Sequence, residues 1–600
     1  MADFVAPLRD MQFVIEELVG LDDIAALPGR EDATPDLVRQ ILNEAARFGA
    51  EVLAPLNRVG DLEGSTLANG VVSTPTGFKD AYKAFVDGGW NGVAHDPDYG
   101  GMGLPGLVAT ATAEIWAAAN FGFSLCPVLT QAGVELLTLY GSDVQKDTYL
   151  PKLISGEWPG AMVMTESHAG SDIGELSTRA VPDGDQYRLF GQKIFISWGD
   201  HDLADNIIHM VLARAEGSPP GIKGLSMFIV PKFLVGEDGS LGRRNDMRAV
   251  NLEHKLGIHA SPTAVMSYGD NEGAIGYLIG DENRGIEYMF SMMNNARLAI
   301  GLEGVGIAEC AYQQARDYAT TRLQGRDLTG AVSGMAPIIC HPDVRRMLLS
   351  MKSRIEAARA LSYMVASWLD IARRHPDADI RRDHQARVDF LVPVVKAWST
   401  DIGFNAASIG VQIHGGAGFI EETGAAQHLR DARINMIYEG TNGIQAMDLV
   451  NRKLVGDDGA MARILIEEIR AFDKSLDGNE NPDIAIIHSA LADGAAALDG
   501  ATTWLLGCNN GENNPAVARA SGATAYLDLV GTVTGGYLMA RSALLAHQAL
   551  ERFGENDEFY AGKMTTARFF AEQFLTQSHG LMRAVTSGSD SIMGLTESQF

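Results

Sequence analysis

Glu439 is the residue of this sequence whose surroundings best suit it for chemistry. It lies in a glycine-containing turn with the sequence IYEGTNGIQ, and an amphipathic helix is predicted directly after it. A cap at Thr441 or Asn442 would direct the free N–H groups and the positive end of that helix toward the carboxylate. Ile437 and Tyr438 would form an apolar wall that strengthens the carboxylate as a base. The turn therefore predicts a group that removes a proton.

This turn, together with the upstream run RDAR at 430–433, resembles the catalytic signature of the acyl-CoA dehydrogenases, and the chain has the length of their long form. The resemblance implies FAD-dependent α,β-dehydrogenation of an acyl-CoA thioester. Glu439 would remove the α-proton while a hydride leaves the β-carbon for flavin N5. By the same resemblance, Thr441 and Asn442 contact FAD, and Tyr438 and Gly440 contact the substrate.

Composition restricts the possible classes of protein. With 46% hydrophobic and 21% charged residues, the chain is predicted to be globular, and 600 residues suggest about three or four domains. Its net charge of −28 argues against nucleic acid and anionic membrane surfaces as partners. The N-terminus lacks a basic region before an apolar run, and no uncharged apolar stretch is expected to approach the roughly 18 residues of a membrane span. Four cysteines without CxxC spacing favour free thiols and a cytoplasmic location.

Hydrophobic periodicity predicts an α+β, mainly α, protein in five parts. Short β-rich runs are predicted at 161–164, 193–197, 207–213, 225–230 and 264–268, and long helices at 286–318, 341–372 and 383–409. The predicted parts are an N-terminal extension (1–40), an N-terminal helical domain (41–157), a middle antiparallel β-barrel or sandwich (158–280), a helical bundle with the base (281–455) and an additional C-terminal helical domain (456–600). The order helical, β, helical is also that of the acyl-CoA dehydrogenases.

Two segments at the start of the middle domain resemble the family's flavin-binding motifs. The first is MVMTESHAGSD at 162–172, and the second is the strand KIFIS at 193–197. From the residues alone, the first segment is a turn and the second packs in the core. The resemblance implies a set of FAD contacts: Met162, Met164, Thr165, Ser171, Phe195 and Ser197. It also implies that Ser171 lies near the thioester end of the substrate.

A glycine-rich loop, QIHGGAGF at 412–419, lies between predicted helices and by itself is weak evidence for a phosphate site. It resembles the family's loop that holds the pyrophosphate and adenosine half of FAD, which implies Gln412, Gly415 and Gly416 as contacts. Arg322 corresponds to an arginine that reaches the FAD of a neighbouring subunit. A homodimer is therefore expected.

The helix predicted at 286–318 carries the expected substrate contacts. By itself Arg297 is a solvated charge, but the resemblance implies that Asn294 and Arg297 line the CoA channel. Some members of the family carry their base directly before this arginine. Ala296 occupies that position here, which leaves Glu439 as the only good candidate and no acid on this helix to replace it.

Bulky residues on the same helix suggest a short acyl pocket, with 3-methylmercaptopropionyl-CoA among the expected substrates. Core packing is the expected role of at least half of them: Tyr288, Met289, Phe290, Met292 and Met293.

The resemblance implies an electron-transfer flavoprotein as acceptor. No metal site or NAD fingerprint is evident in the sequence. Two alternatives remain. An acyl-CoA oxidase would share nearly every site residue but use oxygen. A DNA-associated flavoprotein of the same fold would need a basic C-terminal surface, which is disfavoured by 19 acidic against 9 basic residues in 456–600.

Overall fold

A computed structural model describes residues 4–508, 514–554 and 557–600, without the side chains of Ser291 and Met292. The described chain divides into two compact units. We call residues 4–6 and 41–299 the β unit, and residues 7–40 and 300–600 the helical unit. Two helices, Pro35–Phe48 and Gly285–Thr321, have residues in both units.

The first half of the β unit is helical, as the apolar spacing predicts. After Pro35–Phe48 its helices are Gly49–Leu53 (a π-helical continuation), Ala54–Glu63, Phe78–Asp87, Gly106–Ala119, Phe121–Tyr140 and Asp143–Ser155. Ser142 and Gln145 form a capping box at the start of the last helix, and Gly156 ends it with a φ of 82°. This sharp end turns the chain into the sheet that follows.

The sheet of the β unit confirms the five predicted β-rich runs. The strands are β1 Thr66–Ala68, β2 Val71–Ser73, β3 Gly160–Val163, β4 Arg179–Asp183, β5 Gln186–Ser197, β6 Ile208–Ala215, β7 Leu225–Pro231, β8 Phe233–Val235, β9 Leu241–Arg244, β10 Met247–Leu252, β11 Thr263–Tyr268 and β12 Ala274–Leu278. The main sheet has the order β10-β11-β5-β12-β7-β6-β3, and β4 pairs with β5 and β6. β1 with β2 and β8 with β9 form separate hairpins.

The expected wholly antiparallel arrangement is wrong in one respect, because β3 and β4 each run parallel to β6. The β4–β5 hairpin lies between β3 and β6 along the chain, so β6 returns in the direction of β3. Both faces of the sheet are buried in apolar clusters. Met210 and Met227 belong to the cluster that contains helix residues such as Leu153, and Val211 and Phe228 belong to the other.

The helical unit contains the predicted bundle and the additional C-terminal helices. Its helices are Leu8–Gln12, Phe13–Val19 (π), Leu21–Ala25, Gly285–Thr321 (from residue 300), Pro342–Arg374, Ala378–His414, Ala425–Ala432, Asn442–Asp448, Leu449–Leu454 (π), Ala460–Ser475, Pro482–Gly507, Pro515–Phe553, Glu558–Gln573 and Ser578–Thr586. Short 3₁₀ turns across both units are Trp90–Gly92, Pro97–Tyr99, Ile173–Glu175, Ile222–Gly224, Ile338–Cys340, Gly415–Phe419, Glu421–Thr423, Arg433–Met436, Leu575–Gln577 and Glu597–Gln599.

The additional C-terminal helices pack onto the bundle through a tryptophan. A Cβ atom at Gly531 would lie 2.5 Å from Cγ of Trp398, and one at Gly535 would lie 2.6 Å from its Cη2. Because these two glycines of the helix Pro515–Phe553 have no side chains, they leave a space that the indole of Trp398, in the helix Ala378–His414, fills.

A buried group of charges also joins the two ends of the chain to the bundle. Lys563 pairs with Asp10 and lies 3.0 Å from Glu356, whereas Arg359 pairs with Asp10 and lies 2.8 Å from Glu309. Burial alone would raise the pKa of Asp10, but the surrounding cations hold it well below its usual value. The N-terminal helix and the C-terminal helix Glu558–Gln573 are therefore tied to the bundle by mutually compensating charges.

Three helices in the described chain are long and apolar enough, by length and composition alone, to cross a membrane. They are Phe121–Tyr140, Pro482–Gly507 and Pro515–Phe553, whose most apolar segments are 67%, 44% and 78% buried within the fold. By length and composition alone, this finding goes against the expectation that no apolar stretch of the chain approaches the length of a membrane span.

Candidate active site

The turn that carries Glu439 has a strained backbone with internal support. Glu439 has a φ of 52° and Gly440 a φ of 81°, so both lie in the left-handed region. This conformation costs a residue with a side chain roughly 1–2 kcal/mol. The amide of buried Gln445 donates to the carbonyl oxygens of Glu439 (3.3 Å) and Gly440 (2.9 Å). Gln445, which the sequence did not single out, holds the turn in this shape.

The side chains expected to cap the next helix have other partners. Thr441 is the N-cap residue of Asn442–Asp448, but its hydroxyl donates to the carbonyl oxygen of Met436 at 3.3 Å. The Asn442 side chain accepts from Lys396 Nζ (2.9 Å) and donates to Asp401 (3.0 Å). Thr441 is thus the N-cap residue as predicted, but neither side chain makes the capping hydrogen bond, because each has another partner.

A second carboxyl group, Glu303 on the bundle helix, lies beside the base. The hydroxyl of Tyr438 donates to Glu303 Oε2 and is 3.3 Å from Asn435 Oδ1. Burial above all, together with the charge of Glu439, raises the pKa of Glu303 to about 8, although the hydrogen bond from Tyr438 and the charge of Lys396 act to lower it. Glu303 is buried and bonded to Tyr438, so the expectation that no acid on this helix can replace Glu439 as the base stays a prediction. The expected apolar wall is also only partly present, since Ile437 is 51% exposed.

The glycine-rich loop and Arg322 lie at one end of the bundle. Tyr318 stacks on His414 with 4.5 Å between ring centroids, which brings the ends of their two helices together. Arg322 follows one of these helices and is exposed. The loop follows the other, with Gln412, Gly415 and Gly416 exposed and with Gly415 at a φ of 61°. The structure thus brings together these four predicted contacts.

The loop is distant from the base within the helical unit. Asn442 contacts the helix Ala378–His414 near Thr400, whereas Gln412 is twelve residues further along that helix. At about 1.5 Å per residue the two positions are about 18 Å apart along the axis. They cannot both contact one small group within a single chain.

In the β unit, the two motif segments lie side by side. The N–H of Ile194 donates to the carbonyl oxygen of Thr165 at 2.9 Å, and Lys193 Nζ donates to that of Met164 at 2.8 Å. Met162 and Met164 are partly buried against the helix-side cluster, and Thr165 is partly exposed. Two stretches about 30 residues apart therefore form one surface.

A buried ion pair supports this surface. Lys193 Nζ lies 2.9 Å from Glu166, whose carboxylate also accepts from the backbone and hydroxyls of Ser177 and Thr178. Burial alone would raise the pKa of Glu166, but Lys193 and these hydrogen bonds lower it to about 2. Burial lowers the pKa of Lys193 to about 8. Both charges thus persist at neutral pH and fix the loop onto β5.

The surface presents an aromatic ring in an unusual backbone conformation. Phe195 has a φ of 59° and is 59% exposed, although its neighbours Lys193 and Ile196 are buried. Ser197, two residues on, is partly exposed, and Ser171 is exposed. An exposed ring at a strained position suits stacking on a flat ligand.

The expected substrate contacts on the helix Gly285–Thr321 also belong to the β unit. Arg297 is only 6% exposed, so it is not a solvated helix charge. Asn294 and Ala296 are partly exposed. The side-chain amide of the adjacent Asn295 donates to Glu135.

Among the bulky residues of this helix, Tyr288 and Met289 are buried in the helix-side cluster, where Tyr288 stacks on Tyr140 at 4.2 Å. They serve the core and do not line a pocket. Phe290 is 36% exposed and Met293 is partly buried, while Met292 lies outside the described side chains.

Models of known protein families match successive segments of the chain, in the same order as the helical, β and helical regions described above. The matches are to the N-terminal domain (36–157), the middle domain (161–270) and the C-terminal domain (283–454) of acyl-CoA dehydrogenase, and to an acetyl-CoA dehydrogenase C-terminal-like domain (465–596). A 3-methylmercaptopropionyl-CoA dehydrogenase of Ruegeria pomeroyi is 45% identical over 98% of this chain and 99% of its own length. The chain belongs to the acyl-CoA dehydrogenase family. It is therefore an FAD-dependent oxidoreductase.

Other acyl-CoA dehydrogenases match over most of their length. A butyryl-CoA dehydrogenase of Syntrophomonas wolfei is 33% identical over 100% of this chain and 99% of its own. The crystal structure of an acyl-CoA dehydrogenase complexed with FAD from Bacillus anthracis has a TM-score of 0.73 at 22% identity, over 96% of this chain and 91% of that chain. This structural likeness concerns the fold.

The paired segments of the β unit fit the flat ring of FAD, because they present an aromatic face beside hydroxyl groups. We expect Lys193→Met to weaken FAD binding roughly tenfold or more, since Glu166 would keep a buried charge without its cation and the Met164–Thr165 backbone would lose a donor. The measurement is FAD affinity by fluorescence titration of the flavin-depleted protein. Lys223→Met, at an exposed lysine of the same unit, is the matched control. Equal affinity in both variants would contradict a supporting role for the ion pair.

Proposed function

We propose that this acyl-CoA dehydrogenase removes the α-proton of a short-chain acyl-CoA with the carboxylate of Glu439. The observation that carries the proposal is the strained, internally supported turn around Glu439. A strained backbone of this kind persists only where the surrounding structure holds it in place, and such positions cluster at active sites. A base needs this fixed position, because proton transfer requires its oxygen within hydrogen-bond reach of the reacting atom.

We assign the residues of the site according to their unit. FAD, when bound, supplies the acceptor for the two electrons released with the β-hydrogen. In the β unit, Phe195 would stack on its ring, and the other contacts would be Met162, Met164, Thr165, Ser171 and Ser197. In the helical unit, the contacts would be Arg322, Gln412, Gly415, Gly416, Thr441 and Asn442. The substrate would contact Ser171, Asn294, Arg297, Tyr438 and Gly440.

Anaerobic spectroscopy tests the activity directly. We expect the absorbance of the bound flavin to bleach when butanoyl-CoA is added without oxygen, and to persist with butanoic acid, which lacks the thioester. Rapid recovery on exposure to air would identify an acyl-CoA oxidase. Slow recovery in air but fast recovery with an electron-transfer flavoprotein would support that acceptor. Persistent absorbance with every acyl-CoA would contradict the proposed reaction.

We expect short acyl chains of about four to six atoms to be preferred, including 3-methylmercaptopropionyl-CoA. Two of the relatives are named for short substrates, and Phe290 and Met293 remain available to close a pocket. Each methylene beyond the pocket should cost about 1–3 kcal/mol in discrimination. The measurement is kcat/KM for butanoyl-, methylthiopropanoyl-, octanoyl- and palmitoyl-CoA. A preference for palmitoyl-CoA would contradict the short pocket.

We expect a homodimer in which Arg322 and the loop at 412–418 complete the FAD site of the partner. Arg322 and the loop are exposed at an end of the bundle about 18 Å along the helix axis from Thr400, which Asn442 contacts, and this exposure supports a contact with a neighbouring subunit. The helices of 456–600 cover part of the bundle, which favours a dimer over a tetramer. Light scattering measures the mass. A monomer that holds FAD tightly would contradict the arrangement.

We also propose that the enzyme is located in the cytoplasm.

A further inference from the structure

Glu303 is sealed between two bundle helices. A Cβ atom at Gly301 would lie 2.7 Å from the backbone oxygen of Val395, and one at Gly304 would lie 2.4 Å from that of Ser399. The helices Gly285–Thr321 and Ala378–His414 are thus in backbone contact on both sides of Glu303. The residue is 2% exposed. This close packing excludes water from around its carboxyl group.

The carboxyl group has little to stabilise a negative charge. Its Oε2 accepts from the Tyr438 hydroxyl, and its Oε1 is buried without a hydrogen-bond partner among the residues that the structure describes. The charged groups that face it are Glu439 and Lys396, and the titratable group is Tyr438. Lys396 Nζ is already bonded to Asn442 Oδ1, and Glu439 repels a second negative charge. A neutral carboxyl group is far less costly here than an ionised one.

We propose that Glu303 is a positioning residue that carries a proton at neutral pH, so that it anchors Tyr438 while Glu439 is the ionised member of the pair. This inference rests on the proposed role of Glu439 as the base. Two neighbouring carboxyl groups in unlike surroundings divide their states in this way, with the buried one neutral. Tyr438 directly precedes Glu439, so its anchor also fixes the strained turn. When Glu303 ionises at high pH, repulsion would disturb both the charge and the position of the base.

The test compares two variants of the FAD-loaded enzyme across pH. Glu303→Gln keeps the shape, the acceptor for Tyr438 and the neutral charge. We therefore expect near wild-type kcat at pH 7, and we expect the wild type to lose kcat around pH 8 while Glu303→Gln does not. Glu303→Ala removes the anchor, so kcat should fall roughly 10–100-fold at every pH. An unchanged alkaline decline in Glu303→Gln, or full activity of Glu303→Ala, would overturn the inference.

A second measurement needs no substrate. The infrared spectrum of the wild-type enzyme near pH 6.5 should contain the carbonyl stretch of a buried protonated carboxylic acid, and Glu303→Gln should lack it. Identical spectra would overturn the inference even if both enzymes turn over. By contrast, a wild type that shows the band but never bleaches its flavin would overturn the proposed reaction and leave the protonated Glu303 in place.

The pH dependence of the unfolding free energy provides an independent test. Because folding raises the pKa of Glu303 from 4.5 to about 8, its contribution to stability is full below pH 4.5 and is lost as pH rises through 8. The unfolding free energy of the wild type should therefore fall relative to that of Glu303→Gln across this window. A constant difference would contradict the proton on Glu303.

Discussion

Replacing Glu439 with glutamine is expected to reduce the rate of flavin bleaching by acyl-CoA by roughly 10²–10⁴-fold or more. Glutamine has nearly the same shape, so the turn held by Gln445 should persist and FAD should still bind. It cannot accept the α-proton. Glu303 should not replace it, because that carboxyl group is buried and bonded to Tyr438. Stopped-flow absorbance under anaerobic conditions measures the effect.

Glu422→Gln is the matched control, since it makes the same chemical change at an exposed residue of the helical unit. Its bleaching rate should equal that of the wild type. Bleaching by Glu439→Gln at a near wild-type rate would show that another group is the base. Loss of FAD from this variant would instead show that the turn supports the cofactor.

Replacing Lys563 with methionine is expected to lower the unfolding free energy of the helical unit by about 3–5 kcal/mol. Methionine fills much of the same volume but leaves Asp10 and Glu356 without their shared cation. Both carboxyl groups are buried, so their remaining charge is poorly solvated. Urea unfolding followed by circular dichroism gives the change, and hydrogen exchange in Glu558–Gln573 locates it.

Lys474→Met tests the same substitution at an exposed helical lysine and should change stability by less than about 0.5 kcal/mol. Adding Glu356→Gln to Lys563→Met should recover part of the loss, because it removes one of the two buried carboxylates that Lys563 had compensated. If Lys563→Met were as stable as the control, the buried charges would not hold the C-terminal helices.

Elements with strong periodicity could be predicted from the sequence. The long bundle helices follow the spacing of their apolar residues, and β6 and β7 follow their β-branched runs. The parallel pairing of β3 with β6 was not predictable in the same way. It depends on the hairpin β4–β5 between them, whose direction the local pattern does not specify.

The groups that support the base could not be predicted from the local sequence, because their contacts join residues far apart in the chain. Glu303 and Tyr438 are 135 residues apart, and Lys396 reaches Asn442 across 46 residues. A polar residue on an apolar helix face is the available signal for such a group, and Glu303 provides it, since its neighbours on the same face are Ala299, Ile300, Gly306 and Ile307. Thr441 is the N-cap residue as predicted, but its hydroxyl bonds to Met436 five residues earlier, and the Asn442 side chain is held by the distant Lys396 and Asp401.

The fluorescence of Trp398 can report whether the C-terminal region is packed against the bundle. Its indole fills the space left by Gly531 and Gly535, so its emission reports the polarity at that joint. Removal of residues 456–600 would leave this ring against water and shift its fluorescence to longer wavelength. The shortened chain would also expose an apolar surface where the ring had been covered. The additional region thus covers an apolar ring of the bundle, and its detachment would be followed in real time through this native fluorophore.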